Sequence, residues 1–173
     1  MSAPLRGAFC YIPVMGTLIQ IWKARKTDLK FVKSIFKKLQ SQKKVHKEAQ
    51  QIHEEVFEEI DCLECANCCT TIPPIISKRD EKRIAAHLNI STEKFKNTYI
   101  RVDEDGDAVL NSIPCTFLEE DNKCRIYEVR PTACRQYPHT GEMEFYKNLS
   151  LHKRNVKYCP ALLEIVTRLA AIK

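Results

Sequence analysis

At 173 residues, 44% of them apolar and 29% charged, the chain can bury one core, and a second large independent domain is excluded. Glycine occurs only at 7, 16, 106 and 141, so neither the dinucleotide fingerprint nor the phosphate-cradling P-loop can be assembled. The net charge of +6 is concentrated at one end: residues 23 to 47 carry ten Lys or Arg against one Asp, a balance of +9, whereas residues 48 to 173 sum to −4.

The chain opens on an uncharged run, Gly7 to Trp22, behind Arg6. Sixteen residues interrupted by Pro13, Gly16 and Gln20 are too few and too broken to cross a bilayer. No small-x-small cleavage site follows, because Lys23, Arg25 and Lys26 come next. The run reads as a leader or an interfacial helix, Met15 is a second candidate start, and Cys10 stays outside the metal count. From Thr27 to about Asp61, apolar residues recur in steps of three or four, at Val32, Ile35, Phe36 and Leu39 and again at Val45, Ala49, Ile52, Val56 and Ile60. The polar run Gln40 to Lys44 divides them, which predicts two helices or one kinked helix with Thr27 as the N-cap of the first. The basic face, with Lys30, Lys33, Lys37 and Lys38, is either solvated or the docking face for an anionic surface, nucleic acid or membrane.

Cys62-Leu-Glu-Cys65-Ala-Asn-Cys68-Cys69 then places four thiols within eight residues, and Cys115, Cys124, Cys134 and Cys159 follow. A thiolate is a soft, charged ligand, so several of them converging suit zinc or an iron-sulfur cluster far better than magnesium or calcium. Two residues between cysteines let one tight turn present both sulfurs to one ion. Cys62, Cys65 and Cys68 match the first three ligands of a bacterial ferredoxin, where the fourth cysteine comes three residues later and precedes a proline. Here Cys69 is adjacent instead. Neighbouring residues project in different directions, so Cys68 and Cys69 are expected to serve different metals or different sides of one cluster. Eight thiols make two four-thiolate sites or one polynuclear site. The clustered spacing favours metal in a reducing compartment over a disulfide framework.

After the loop, Thr70 to Pro74 breaks regular structure. Ser77-Lys-Arg-Asp80 is a capping box with Asp in place of Glu; it opens a helix with Ile84, Ala85 and Leu88 on one face and Asn89 at its end. Ser91 caps a shorter helix through Phe95 and Tyr99. Tyr99 to Val102 and Ala108 to Leu110 flank an Asp105-Gly106 hairpin turn. The acidic turn is no EF-hand: with Gly106 as the loop glycine, Arg101 and Ser112 stand where carboxylates are required. Residues 114 to 118 and 123 to 127 predict a second hairpin with a cysteine on each arm. Arg130-Pro131 and Tyr137-Pro138 make the surroundings of Cys134 irregular and dependent on ligands for shape. A C-terminal helix begins at Pro160, with Leu162, Val166 and Leu169 on its apolar face and Cys159 at the positive end of its dipole.

Two zinc-enzyme signatures fail. His53-Glu54-Glu55-Val56-Phe57 has Phe57 where a zinc protease needs its second histidine, and Leu118 stands where a zinc deaminase would have a cysteine after Pro114-Cys115. The redox reading of the Cys-x-x-Cys pairs lacks its βαβ context. His139 is a candidate to replace one thiolate in a zinc site. Arg125, Arg130 and Arg135 either offset thiolate charge or pair with Glu119, Glu120 and Glu128, and Tyr127 and Tyr137 read as an apolar shell limiting solvent access.

The cysteine loop, together with Cys115-Thr-Phe-Leu118, Cys124-Arg-Ile-Tyr127-Glu-Val-Arg130-Pro131, Ala133-Cys134-Arg135-Gln-Tyr137-Pro138 and Cys159-Pro160, resembles the YkgJ-like cysteine-cluster family, named for its Cys-x-x-Cys-x-x-Cys-Cys signature and described as zinc- or iron-chelating. The resemblance covers roughly residues 50 to 170. It implies that Cys62, Cys65, Cys68, Cys69, Cys115, Cys124, Cys134 and Cys159 are metal ligands, and it implies no reaction. The expected fold is α+β: a mainly helical single domain with one or two short β-hairpins organised around a cysteine metal centre. Residues 1–47 form a basic extension and helix, and residues 48–173 the metal-binding domain. The expected function is a cytoplasmic protein that holds iron, as an iron-sulfur cluster or polynuclear iron, or zinc. A zinc-stabilised interaction module docking by its basic helix and a metal-dependent oxidoreductase are the alternatives.

Overall fold

The computed structural model describes residues 15–41, 46–141 and 144–172. Helices dominate: α1 (Met15–Arg25), α2 (Leu29–Ser41), α3 (His46–Glu59), α4 (Cys62–Cys65), α5 (Asn67–Thr71), α6 (Lys78–His87), α7 (Thr92–Tyr99), α8 (Thr132–Gln136), α9 (Leu149–Asn155) and α10 (Pro160–Ala171). One antiparallel pair, β1 (Ile100–Val102) with β2 (Ala108–Leu110), follows α7 in register Ile100 to Leu110. The architecture is α+β.

Two apolar clusters form. The first is centred on α10, whose Leu162, Ile165, Val166 and Leu169 are fully buried against α1, α2 and α3. Each such side chain contributes roughly 1.5–3 kcal/mol of burial free energy. Arg168 of α10 clamps this face to α3 through two bonds to Glu59, at 2.8 and 3.3 Å, and one to Glu164 at 2.7 Å. The second cluster is smaller: Ile76, Ile84, Ala85, Phe95, Leu110, Phe117 and Ile126, from α6, α7, the hairpin and the loop after it. The cysteine-bearing helices α4 and α5 join α3, which packs in the first cluster, to the Ile76 segment that begins the second.

The N-terminal segment departs from the leader reading over its described part. Leu18 and Trp22 of α1 are buried in the first core, and the Trp22 indole N–H donates to the Val156 carbonyl at 2.8 Å. Residues 1–14 lie outside the described residues, Cys10 among them. The cap of α2 is Asp28 and not Thr27: the helix begins at Leu29, and the Asp28 carboxylate accepts from the Phe31 N–H at 2.9 Å. Along α2, Val32, Ile35, Phe36 and Leu39 point inward, and Lys30, Lys33, Lys37 and Lys38 are exposed.

The capping predictions after the cysteine loop hold. Ser77 and Asp80 form a reciprocal capping box, Ser91 accepts from the Lys94 N–H, and Cys159 with Pro160 opens α10. Gly106 takes φ +84° in the β1–β2 turn, where Asp103 accepts from the N–H groups of Asp105 and Asp107. The second predicted hairpin shrinks to a single bridge, Leu118 with Cys124, closed by a Glu119–Lys123 turn. Its first arm is diverted: Pro114 has no N–H to give, and the Cys115 N–H donates to the Cys69 carbonyl at 2.8 Å. The segment holding Cys134 is more regular than predicted, with a 3-10 turn at Tyr127–Val129 ahead of α8.

His152 of α9 is fully buried, stacked on Phe145 at 4.5 Å, with backbone groups of Phe145 and Pro138 beside its ring but neither ring nitrogen in good hydrogen-bond geometry. Burial, and then the nearby His139, push its pKa down to about 4, against the ordinary 6.5. The unfolded chain therefore binds more protons than the fold between pH 6.5 and 4, and stability falls as pH drops through that window. The unfolding free energy lost between pH 7 and pH 5 is expected to shrink by about 2 kcal/mol in His152→Leu. Urea melts at the two pH values check it, and an unchanged difference would show that His152 is not the group that titrates.

Candidate metal centre

The loop geometry follows from one residue. Asp61 caps α4 by accepting from the Leu63 N–H at 2.8 Å, and Ala66 then takes the left-handed conformation, φ +43°. That reversal costs an alanine about 1–2 kcal/mol, and it turns α5 away from α4. Cys62 and Cys65 ride on α4; Cys68 and Cys69 ride on α5. Adjacent helical residues point about 100° apart, so Cys68 and Cys69 face different surroundings although their Sγ atoms stand 4.0 Å apart.

Two hydrogen bonds bring distant cysteines to this loop. The Asn67 side-chain amide donates to the Tyr158 carbonyl at 2.7 Å, holding Cys159 beside α4 and α5. The Cys115 N–H donates to the Cys69 carbonyl, holding Cys115 on the other side. The thiols form a cleft group and a loop group accordingly, with Cys69 between them. Cys62, Cys65, Cys68 and Cys159 line one cleft with Phe57, Tyr137 and Tyr158, and Cys65 and Cys159 belong to the first core. Cys69, Cys115 and Cys124 act electrostatically on Cys134, and Cys115 and Cys124 pack against the second core; Cys69 acts on Cys62 and Cys65 as well and stands against Cys68, so it lies between the two groups.

All eight are free thiols. Cys62 and Cys134 are partly open to solvent, yet the protein packed around their sulfurs, followed by neighbouring sulfur and carboxylate charge, pushes Cys62 up to about 11, and the same packing with Cys69, Cys115 and Cys124 pushes Cys134 up to about 12. Cys65, Cys115 and Cys124 are raised chiefly by burial, and Cys69 chiefly by its hydrogen bond with Cys68. Cys159 departs from the dipole expectation. Its sulfur does accept from the Leu162 N–H at 3.4 Å, but complete burial outweighs that bond and pushes it up to about 12. The thiols so raised keep their protons unless a cation offsets the charge, which is how a coordinating thiol becomes a thiolate.

Among the described residues no three His, Cys, Asp or Glu side chains are already closed into a metal-binding set. The donor chemistry fits zinc or iron all the same: each group is thiol only. A second observation fits as well. The Tyr137 hydroxyl is buried without a hydrogen-bond partner, and its ring lines the cleft of the first group. Of the three arginines, Arg130 is the one whose charge acts on the thiols, opposing the rise at Cys62, Cys124 and Cys134. It lies over the Tyr127 ring at 3.9 Å and donates to the Tyr127 carbonyl. Arg125 lies 5.5 Å from the Phe117 ring centroid, and Arg135 is exposed. His139 packs edge-on to Tyr137, with ring centroids 6.0 Å apart. The His53 Nδ1 is paired with the Thr140 hydroxyl at 2.7 Å.

The residues that position Cys134 were not legible in the sequence. Asp80 of α6 accepts from the Thr132 N–H at 3.1 Å and the Thr132 hydroxyl at 3.0 Å, and Arg83 donates to the carbonyls of Val129 and Arg130. They sit some fifty residues from their partners in sequence, and no motif links them.

A mainly helical domain that gathers thiols from four chain segments around one short loop belongs to the class of cysteine-rich metal-chelating domains. Residues 61–160 match the CxxCxxCC family model, "Putative zinc- or iron-chelating domain", and the chain belongs to that family. It is also similar to the "Uncharacterized protein MJ0661" of Methanocaldococcus jannaschii, 30% identical over 105 residues, a match covering 58% of this chain and 57% of the relative. No solved structure matches the chain. Among the described residues, no helix is long and apolar enough to cross a membrane.

Proposed function

We propose that the protein holds metal in two four-thiolate sites, Cys62, Cys65, Cys68 and Cys159 in one and Cys69, Cys115, Cys124 and Cys134 in the other, and that it works in a reducing compartment such as the cytoplasm. The observation that supports this reading is the placement of Cys62, Cys65, Cys68 and Cys159 around one cleft and of Cys115 and Cys124 against the second core, with Cys69 tied to the latter side by the bond from the Cys115 N–H to its carbonyl. Thiolates without oxygen donors select zinc or iron, and iron is favoured because Cys62, Cys65 and Cys68 share the ferredoxin spacing and the thiols exceed the needs of one structural zinc. Bound iron would supply electron transfer; bound zinc would supply structure.

Anaerobic purification with metal analysis and a visible spectrum tests it. Iron with thiolate-to-iron absorption supports the reading as stated. Zinc in both sites without that absorption replaces the metal and keeps the sites, and protein free of both metals overturns the proposal.

Chelation is expected to unfold residues 111 to 141, because that stretch has one isolated bridge, one 3-10 turn and one five-residue helix to hold it. Circular dichroism before and after chelation checks this, and an unchanged spectrum would mean that the second group does not order the segment.

A further inference from the structure

We propose that Tyr137 tunes the first thiolate site, its phenol O–H donating a hydrogen bond to a metal-bound sulfur there. The inference rests on the two-site reading and goes beyond it by assigning a positioning donor outside the ligand set. Tyr137 lines the cleft with Cys62, Cys65, Cys68 and Cys159, and its hydroxyl is buried with no hydrogen-bond partner. A buried hydroxyl left unpaired costs roughly 1–3 kcal/mol, and buried tyrosines ordinarily find a partner.

The ring is held there by contacts that do not involve the hydroxyl. The Tyr137 N–H closes α8 by donating to the Ala133 carbonyl at 3.1 Å, the ring packs against the first core, and His139 meets it edge-on. Besides its burial, the phenol feels the cleft groups Cys159, Cys68, Tyr158 and Cys65 in that order, three of the four being sulfurs. A neutral thiol is a weak acceptor, whereas an ionised group accepts roughly twice as strongly. The donor is therefore satisfied when the sulfurs ionise on metal. A hydrogen bond of this kind draws charge from the sulfur, orients it, and raises the potential of an iron site, which is how groups outside the ligand set tune metals.

The test compares the full chain with Tyr137→Phe, which keeps the ring and removes the O–H. Both are loaded with zinc as the probe, and three quantities are read: zinc bound per chain, the rate of zinc release to a chelator, and the melting of the metal-free first core followed by Trp22 fluorescence. The expected result is unchanged zinc content, with half of the zinc leaving about tenfold faster and the other half at the wild-type rate. The metal-free variant melts no lower than wild type, because without metal the hydroxyl has no ionised sulfur to bond and its removal costs nothing. Wild-type release rates in both halves, or a destabilised metal-free variant, would overturn the assignment and leave Tyr137 as packing alone. Wild-type protein that binds no zinc is compared with Tyr137→Phe after anaerobic loading with iron(II) instead, and failure to bind either metal takes the two-site reading with it. If Tyr137→Phe does not fold, hydroxyl exchange in wild-type protein carrying Cζ-labelled tyrosine decides: slow exchange with zinc and fast exchange without supports the bond, and fast exchange in both states overturns it.

Discussion

Cys68→Ser and Cys69→Ser are expected to remove different halves of the bound metal, although the two sulfurs are neighbours 4.0 Å apart. Serine keeps the size and removes the soft ligand, so each variant reports on one site. Cys68→Ser groups with Cys159→Ser, because both line the cleft against the first core. Cys69→Ser groups with Cys134→Ser, because their thiols act on each other and on Cys115 and Cys124. The cost is expected to be unequal. The first core has α1, α2, α3 and α10 packed together without help from the metal, and Trp22, the single tryptophan of the chain, reports on it. The second core has seven buried apolar residues and a loop held by one isolated bridge. Structural zinc contributes about 10–16 kcal/mol, in apparent terms, to folds that depend on it. Losing the second site therefore melts the second core and leaves the Trp22 emission native. Metal analysis and hydrogen exchange on the four variants check this, and equal metal loss from Cys68→Ser and Cys69→Ser at both sites would join the thiols into one polynuclear centre.

Local rules carried far in this chain. The periodicity of α2 and α10, the Ser77 and Ser91 caps and the Asp105-Gly106 turn were legible because each depends on residues within one turn of one another. The divergence of the Cys68 and Cys69 side chains from one short helix is local in the same way, although their sulfurs still stand 4.0 Å apart. What escaped reading depends on contacts across the chain. The Trp22 bond to Val156 makes α1 part of the core, and the Cys115 bond to Cys69 spoils the second hairpin. The dipole argument at Cys159 failed on magnitude: one helix end is worth a few tenths of a kcal/mol to about 2 kcal/mol, and complete burial of a charge costs more. The pairing of each thiol group with its own core follows from tertiary placement, which spacing alone does not encode.

Asp80→Ala is expected to cost about 3 kcal/mol of stability, the low end for breaking a buried ion pair, and to loosen the second metal site at a distance. The Asp80 carboxylate is 1% exposed and receives bonds from the Ser77 N–H and hydroxyl, the Arg83 guanidinium at 2.5 Å, and the Thr132 N–H and hydroxyl. Burial opposes its ionisation, but the bonds from Ser77, Arg83 and Thr132 outweigh it and hold the carboxyl at about 2, so it is charged at any working pH. Alanine leaves Arg83 without its anion and Thr132 without its acceptor, and Thr132 opens the helix that carries Cys134. Asp80→Asn keeps an oxygen for Thr132 and loses the charge for Arg83, so it should fall between wild type and alanine. Urea melts are expected to rank the three in that order. Metal release from the second site should quicken in the same order, while the first site keeps its rate. A loss below about 1 kcal/mol would put Asp80 and Arg83 among ordinary surface pairs, and the anchoring of Cys134 would then have to come from its own turn and from the metal it holds.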